Sequence, residues 1–417
     1  MPLSSSTNTA TLQQFRAQFP ALETKYYFNY GGQGPMSQAA LTHMSQMHQY
    51  IQAIGPFSRR VNQWIQNQAA ETRQMLAAEL GATADAIALT EDVTVGCNIP
   101  LWGLDWRAGD HILLTDCEHP GVIAAVQEIS RRFQVEVSTC PILATCRGGD
   151  PVTVIAEHLR SNTRLLVISH ILWNTGQVMP LAEIVARCHI HQPHPVLVLV
   201  DAAQSVGMMP LDLPATGVDF YAFTGHKWYC GPAGLGGLYI KPEVMSQLRP
   251  TFIGWRGITT DEAANPTGWK PNSQRFEIAT SDFALYGGLR SAIAIHNQWG
   301  TPQHRYNRIC ELSQLLWQKL RDMGAVPQNN ALTIAPLSPT PPASGLVSFR
   351  VMLKGQPSPK HHVQLVQTLE AKGYLLRTLL HPHCVRACLH YFTLESDIEQ
   401  LVANIADYCS RHDPSVL

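Results

Sequence analysis

Between residues 111 and 241 the chain alternates two kinds of hydrophobic pattern. Short, nearly unbroken apolar runs stand at HILLTD (111–116), RLLVISH (164–170), PVLVLVDAA (195–203), VDFYAFTG (218–225) and GLGGLYIK (234–241). Unbroken runs of this length suit strands covered on both faces, as in a parallel sheet. Between them, GVIAAVQEISRRF (121–133) and LAEIVARCHIH (181–191) repeat their apolar residues at helical intervals. Strands that alternate with helices in this way predict a wound α/β sheet. Upstream, Val61, Trp64, Ile65, Gln68, Ala69, Thr72, Leu76 and Leu80 fall near helical spacing, with Gly81 as the stop.

From about residue 275 the pattern changes. Helical stretches at 289–299, 304–323 and 360–372 surround the proline-rich loop LSPTPPASG (337–345). The chain closes on SDIEQLVANIADYC (396–409), where Ser396 and Glu399 have capping-box spacing and Ile398, Leu401, Val402, Ile405 and Tyr408 make one apolar stripe. The predicted organisation is an N-terminal segment (1–25) packing on the small domain, a large domain (26–275) with a mostly parallel seven-stranded sheet, and a small α+β domain (276–417).

Composition adds limits rather than a function. The 417 residues are 45% hydrophobic and 15% charged, with a net charge of −1, so no global field favours nucleic acid or an anionic membrane. The longest pure apolar run, VLVLV (196–200), is strand-sized, whereas a membrane helix needs ~20 residues. The start, MPLSSSTNTATLQQF, lacks the order of a secretion signal. Ten cysteines without a CxxC pair fit reduced thiols, and the expected location is the cytoplasm.

The chemistry concentrates in DAAQS (201–205) and FTGHKWYCGPAGLGGLYI (223–240). Asp201 ends an apolar strand and Lys227 follows another, so both charges can reach the crevice at the carboxyl ends of a wound sheet. A carboxylate leaving a buried strand needs a cationic partner. A structural Asp–Lys ion pair would satisfy that need alone. Gln204, Thr224, Gly225 and His226 beside it ask for more. Pyridoxal phosphate (PLP) uses this set: a lysine for its aldehyde, a carboxylate that keeps the ring nitrogen protonated, a donor for the ring hydroxyl, and hydroxyls and amides for the phosphate. Glycines let the backbone approach the ring, and the lysine serves as nucleophile and base.

At these residues the sequence resembles the class V, cysteine desulfurase-like branch of fold-type I PLP enzymes, from about residue 26 to 409. The resemblance implies that Lys227, after Thr-Gly-His, carries the cofactor, with Thr224 and His226 on the phosphate. It places Asp201 on the pyridinium nitrogen and Gln204 on the ring oxygen. In LTEDVTVGCN, Thr94 and the Val93 amide take the phosphate at a helix start. In CEHPG, His119 stacks on the ring and joins Lys227 in catalysis. Asn174 of WNTGQV sits beside the ring oxygen. Thr280 of FEIATS reaches the neighbouring subunit's phosphate, which implies a homodimer. Proline at position 100 is where the family helix continues, so that helix is expected to kink or end early.

For the substrate, Arg386 of VRACLHYFT matches the arginine that binds the α-carboxylate, and bidentate pairing would orient Cα–H. If 385–392 is a strand, Arg386, Cys388 and His390 share a face. Arg377, Asn174, Gly32 and Trp255 complete the expected substrate contacts. Desulfurases also need a nucleophilic cysteine on a loop before that arginine. Here LRTLLHPHCVRAC is too short, has Pro382 in its place, and puts Cys384 at the start of a strand. Without that thiol, the same cofactor and base lead to β-elimination. The chain is similar to the L-cysteine/L-cystine C–S lyases of cyanobacteria, which would give cysteine persulfide or sulfide, pyruvate and ammonia, supplying sulfur for iron–sulfur clusters through an acceptor protein. Three alternatives remain open at this level: a desulfurase or selenocysteine lyase using Cys384, an amino-acid epimerase, and a metal-binding or iron–sulfur scaffold at HPHCVRACLH (381–390). That last spacing is not a standard zinc pattern.

Overall fold

The computed structural model describes residues 9–325 and 332–411. The rest of the expected 1–25 segment and the last six residues lie outside these ranges. Seven strands form the central sheet: β1 (Ile87–Thr90), β2 (His111–Thr115), β3 (Glu136–Cys140), β4 (Thr163–Ser169), β5 (Leu197–Asp201), β6 (Phe220–Thr224) and β7 (Gly236–Ile240). Their order is β1-β7-β6-β5-β4-β2-β3. The five from β6 to β3 are mutually parallel, and β7 runs antiparallel to both of its neighbours.

Strand alternation explains why the sequence runs are continuous. Leu113, Leu166, Ile168, Val198, Val200, Tyr221 and Phe223 enter one core, while Ile112, Leu114, Leu165, Val167, Leu199, Phe220 and Ala222 enter the other. Both faces are covered by helices, so both sets must be apolar. The two strands that no apolar run announced are the short β1 and the edge strand β3, whose Glu136 and Thr139 face solvent. Helix Arg59–Glu79 is capped by Ser58, which accepts from the Val61 amide, and Gly81 follows its end. Helix Val93–Gly103, capped by Asp92, continues past Pro100 to Gly103, so the expected early end does not occur. The proline costs it one backbone donor, and the following turn still closes with Leu104 N–H donating to Pro100 O at 3.1 Å.

A second sheet, antiparallel throughout, has the order β8 (Leu332–Pro336), β9 (Leu346–Leu353), β11 (His383–Cys388), β10 (Arg377–Leu380). Its core, with Phe349, Val351, Leu365, Leu401 and Ile405, is shared with helices Pro302–Ala325, Pro359–Ala371 and Glu395–Arg411. Helix Ala284–Gln298 lies beyond residue 276, yet its Tyr286, Leu289 and Ile293 join the core of the large sheet. At the N-terminal end, Leu12, Phe15 and Phe19 pack where the lobes meet, among Trp228, Ile295, Tyr391 and Phe392, and Arg16 pairs with Asp397 at 2.9 Å.

The two lobes are also pinned along one seam. Ser348 Oγ donates to Asn174 O (2.7 Å) and Ser344 Oγ to Gly176 O (2.6 Å). Gly176 has φ +78°, and a Cβ there would overlap the Leu346 carbonyl. Among the described residues no helix is long and apolar enough to cross a membrane.

Candidate active site

Asp201 at the end of β5 and Lys227, just after β6, open into one cavity of about 830 Å³ at the carboxyl end of the sheet. The small lobe closes it with Arg377 and Arg386, which sit opposite each other on β10 and β11. Burial pushes the Lys227 amine down from its ordinary 10.5 to about 8. Asp201 opposes that shift, and Arg386 and Arg377 add to it. An amine so lowered is free to act as nucleophile and base. Asp201 is buried, with one carboxylate oxygen accepting from Ala203 N–H at 2.9 Å.

His119 lines the cavity as the cap of helix Pro120–Phe133. Its Nδ1 accepts from Gly121 N–H at 3.2 Å, which leaves the ring proton on Nε2. Burial lowers its pKa, Asp201 works against this, and Lys227 and Arg377 reinforce it, so the ring favours its neutral form. Val93 and Thr94 form the first turn of their helix at the cavity wall, next to His226. His226 Nδ1 and Thr224 Oγ1 are 2.5 Å apart. Unpaired amides at a helix start, a hydroxyl and an imidazole suit a phosphate.

Gln204 is held at both ends, its Nε2 donating to Gly31 O and its Oε1 accepting from Trp228 Nε1–H, each at 2.9 Å. One amide hydrogen remains for a ligand. Asn174 is buried beneath the same region; its Nδ2 donates to His381 O at 3.2 Å, and its Oδ1 has no protein partner. Gly32 lines the cavity.

Arg386 is the sharpest feature. It is 1% exposed, Nη1 donates to Trp173 O at 2.7 Å, and Nε and Nη2 have no protein partner. Gly31 makes room for it, since a Cβ there would lie 2.9 Å from Nη2. A buried guanidinium with open donors awaits an anion.

Other expected residues are placed elsewhere. Trp255 is 58% exposed and lies outside this cavity of its own chain, on a surface it shares with Thr280. The tryptophan in the cavity wall is Trp173, with its ring centroid 6.0 Å from that of His119. Nothing in the spacing of WNTGQV marked it, because it reaches the site through the turn after β4. Glu118 was also missed, although it directly precedes His119. It is buried in the wall, accepting from Ser169 N–H (3.0 Å), Ser169 Oγ (2.9 Å) and Thr115 Oγ1 (2.5 Å), and burial lifts it to about 8, with Asp201 adding to the rise.

Strand β11 ends at Cys388, so His390 does not share a face with Arg386 and points instead into the interior. Cys384 lies on β11 packed with Leu337, Leu379 and Trp173, and burial lifts its thiol to about 11. None of the ten cysteines lines the cavity. The segment 381–390 does not converge on one point either. Cys230, His296 and His390 do come within 4.8 Å of each other, but all four imidazole nitrogens are taken by protein groups.

The residues therefore fit PLP: an amine of lowered pKa, a buried carboxylate, a phosphate cradle and an open-handed arginine share one cavity. Comparisons agree. The aminotransferase class-V family matches residues 26–401. A cysteine desulfurase of Escherichia coli O127:H6 is 30% identical over 78% of each chain, and one of Yersinia pestis is 28% identical over 94% of this chain and 97% of its own. Among solved structures, the cystine C–S lyase C-DES, in complex with its reaction product cysteine persulfide, has 48% identity and a TM-score of 0.89, covering 94% and 99% of the two chains. A lysine-to-alanine variant of the same enzyme, with glycine covalently linked to its PLP cofactor, matches equally. The Escherichia coli cysteine desulfurase CsdA shares the fold at 22% identity and a TM-score of 0.79, over 96% and 98% of the chains. The chain belongs to the class-V aminotransferase family of PLP-dependent enzymes.

Proposed function

We propose that this chain is a carbon–sulfur lyase that performs β-elimination on L-cystine or L-cysteine. Cystine and water would give cysteine persulfide, pyruvate and ammonia. The observation that carries this reading over a desulfurase is that the cavity presents Lys227, Asp201 and Arg386 but no cysteine to receive sulfur. The 48% identity to a cystine C–S lyase supports it.

When bound, PLP supplies an electron sink for charge developing at the substrate Cα. Arg386 pairs its free Nε and Nη2 donors with the α-carboxylate and so turns Cα–H toward Lys227. The Lys227 amine takes that proton, helped by its lowered pKa. With PLP bound, Asp201 would keep a proton on the ring nitrogen, His119 would offer its imidazole to the ring, and Gln204 and Asn174 would address its oxygen. Val93, Thr94, Thr224 and His226 hold the phosphate. Thr280, exposed on its own chain, serves the site of a second copy in a homodimer. The sulfur product would go to an iron–sulfur acceptor in the cytoplasm.

The test is a product assay. Cystine should yield pyruvate, and the rate should survive exhaustive treatment with iodoacetamide. Alanine in place of pyruvate would establish the desulfurase reading instead.

A further inference from the structure

The segment that carries Lys227 has no regular structure of its own. Beyond Thr224 the backbone runs irregularly through the interior, with Trp228 0% and Tyr229 2% exposed. Buried carbonyls in such a stretch need donors. Those of His226 and Lys227 accept from the backbone N–H groups of Gly34 (2.8 Å) and Cys230 (3.0 Å). The next two are met by imidazoles from distant elements. His390 Nε2 donates to Trp228 O at 2.9 Å, and His296 Nε2 donates to Tyr229 O at 2.7 Å.

The other nitrogens fix these tautomers. His390 Nδ1 accepts from Tyr391 N–H (3.1 Å), and His296 Nδ1 accepts from the Tyr391 hydroxyl (2.7 Å). The two rings stack with centroids 5.3 Å apart, and His390 also stacks on Trp228 at 5.7 Å. Burial lowers both pKa values, that of His296 to about 3, so each ring remains a neutral donor at working pH.

His390 follows Arg386 by four residues on the backbone that leaves β11. From the other side, Trp228 fixes Gln204, Gln204 reaches Gly31, and Gly31 abuts the Arg386 guanidinium. A closed circuit thus joins the lysine turn to the carboxylate anchor.

We propose that His390 and His296 are positioning residues for Lys227, clamping the two carbonyls after it so that its amine and the Arg386 guanidinium face each other at one fixed separation. The proposal rests on the reading of Lys227 as the cofactor-bearing amine. A purely structural role would require a donor for each carbonyl and nothing more of Lys227.

Three measurements on the full chain separate the two. One is the thermal melt, and one is the split between kcat and KM on cystine. The third is the pH profile of Lys227 acetylation by acetic anhydride in cofactor-free protein, read by peptide mass spectrometry. His390→Phe keeps the ring packing and removes the donor. It should melt cooperatively, move the Lys227 labelling midpoint from about 8 toward 10.5, and lower kcat about 10- to 100-fold with a smaller change in KM. His390→Gln, which can place an amide donor near the Nε2 position, should restore the profile. His296→Phe should act in the same direction.

A folded H390F with the wild-type labelling midpoint and kcat overturns the clamp. If H390F does not fold, His296→Phe, which removes the donor to Tyr229 O, decides. A displaced labelling midpoint with lowered kcat supports the proposal, while wild-type values, or an H390Q that folds with a displaced profile, refute it. Failure of the Lys227 reading looks different: Lys227→Ala would keep turning over, whatever the histidine variants do.

Discussion

Replacing Arg386 by Met separates binding from folding, because the two effects have different sizes. The substitution keeps a long side chain in the space and removes the charge. It loses the hydrogen bond from Nη1 to Trp173 O and leaves that carbonyl unpartnered, at a cost of about 1–3 kcal/mol. It also removes two buried donors, Nε and Nη2, that have no partner in the protein alone, which relieves a penalty of similar size. Without substrate the stability should therefore change little, by about 1 kcal/mol or less in either direction. Binding is another matter. Two charge-assisted hydrogen bonds to a carboxylate are worth about 1.5–3 kcal/mol each. Their loss should lower kcat/KM for cystine about 10²- to 10⁴-fold, at 1.4 kcal/mol per tenfold. Arg386→Lys, which restores charge without the fork, should recover part of this. Steady-state pyruvate formation and a thermal melt of the same preparation give both numbers. A variant with kcat/KM within tenfold of wild type would refute the anchor. A collapsed melt with unchanged activity per folded molecule would show that the guanidinium serves the fold.

Other expectations follow from the same cavity. Lys227→Ala should lose the visible absorbance of the lysine-bound cofactor and, with it, pyruvate formation by at least 10³-fold; retention of either counts against its assignment. Cys384→Ser should retain activity within about twofold, because the thiol is buried in a hydrophobic cluster and lifted to about 11; loss of turnover with normal folding would restore the desulfurase reading. Glu118→Gln tests a pH dependence of stability. Its folded pKa is raised from 4.5 to about 8, so the native state holds the proton more tightly than the unfolded chain. That stabilisation is complete below about pH 4.5 and is lost as pH climbs through about 8. Denaturant titrations of E118Q should show a flatter stability profile across this window than wild type, and parallel profiles would contradict the assignment.

Much of the large lobe could be read from the chain because strands buried on both faces leave unbroken apolar runs. The edge strand β3 left none, since part of its surface meets water. The polar groups of the cavity were legible where they cluster locally, as in Asp201–Gln204 and Thr224–Lys227. Trp173, Glu118 and the histidine pair were not, because their roles arise from contacts across distant segments. His390 and Trp228 are separated by 162 positions yet share a hydrogen bond. Trp255, expected at the substrate, lies outside the cavity of its own chain, and the wall there is Trp173; an exposed aromatic and a cavity wall look alike until the turns around them are placed. Pro100 shows the reverse error, where a strong local breaker was outweighed by the packing of a buried helix.

The seam between Ser344–Ser348 and Asn174–Gly176 sets the spacing of the two lobes. The amine belongs to one lobe and the guanidinium to the other, so the gap an amino acid must span is set by how closely those backbones approach. Any side chain added at position 176 would overlap the Leu346 carbonyl and wedge the lobes apart, moving Arg386 relative to Lys227 with both residues left unaltered.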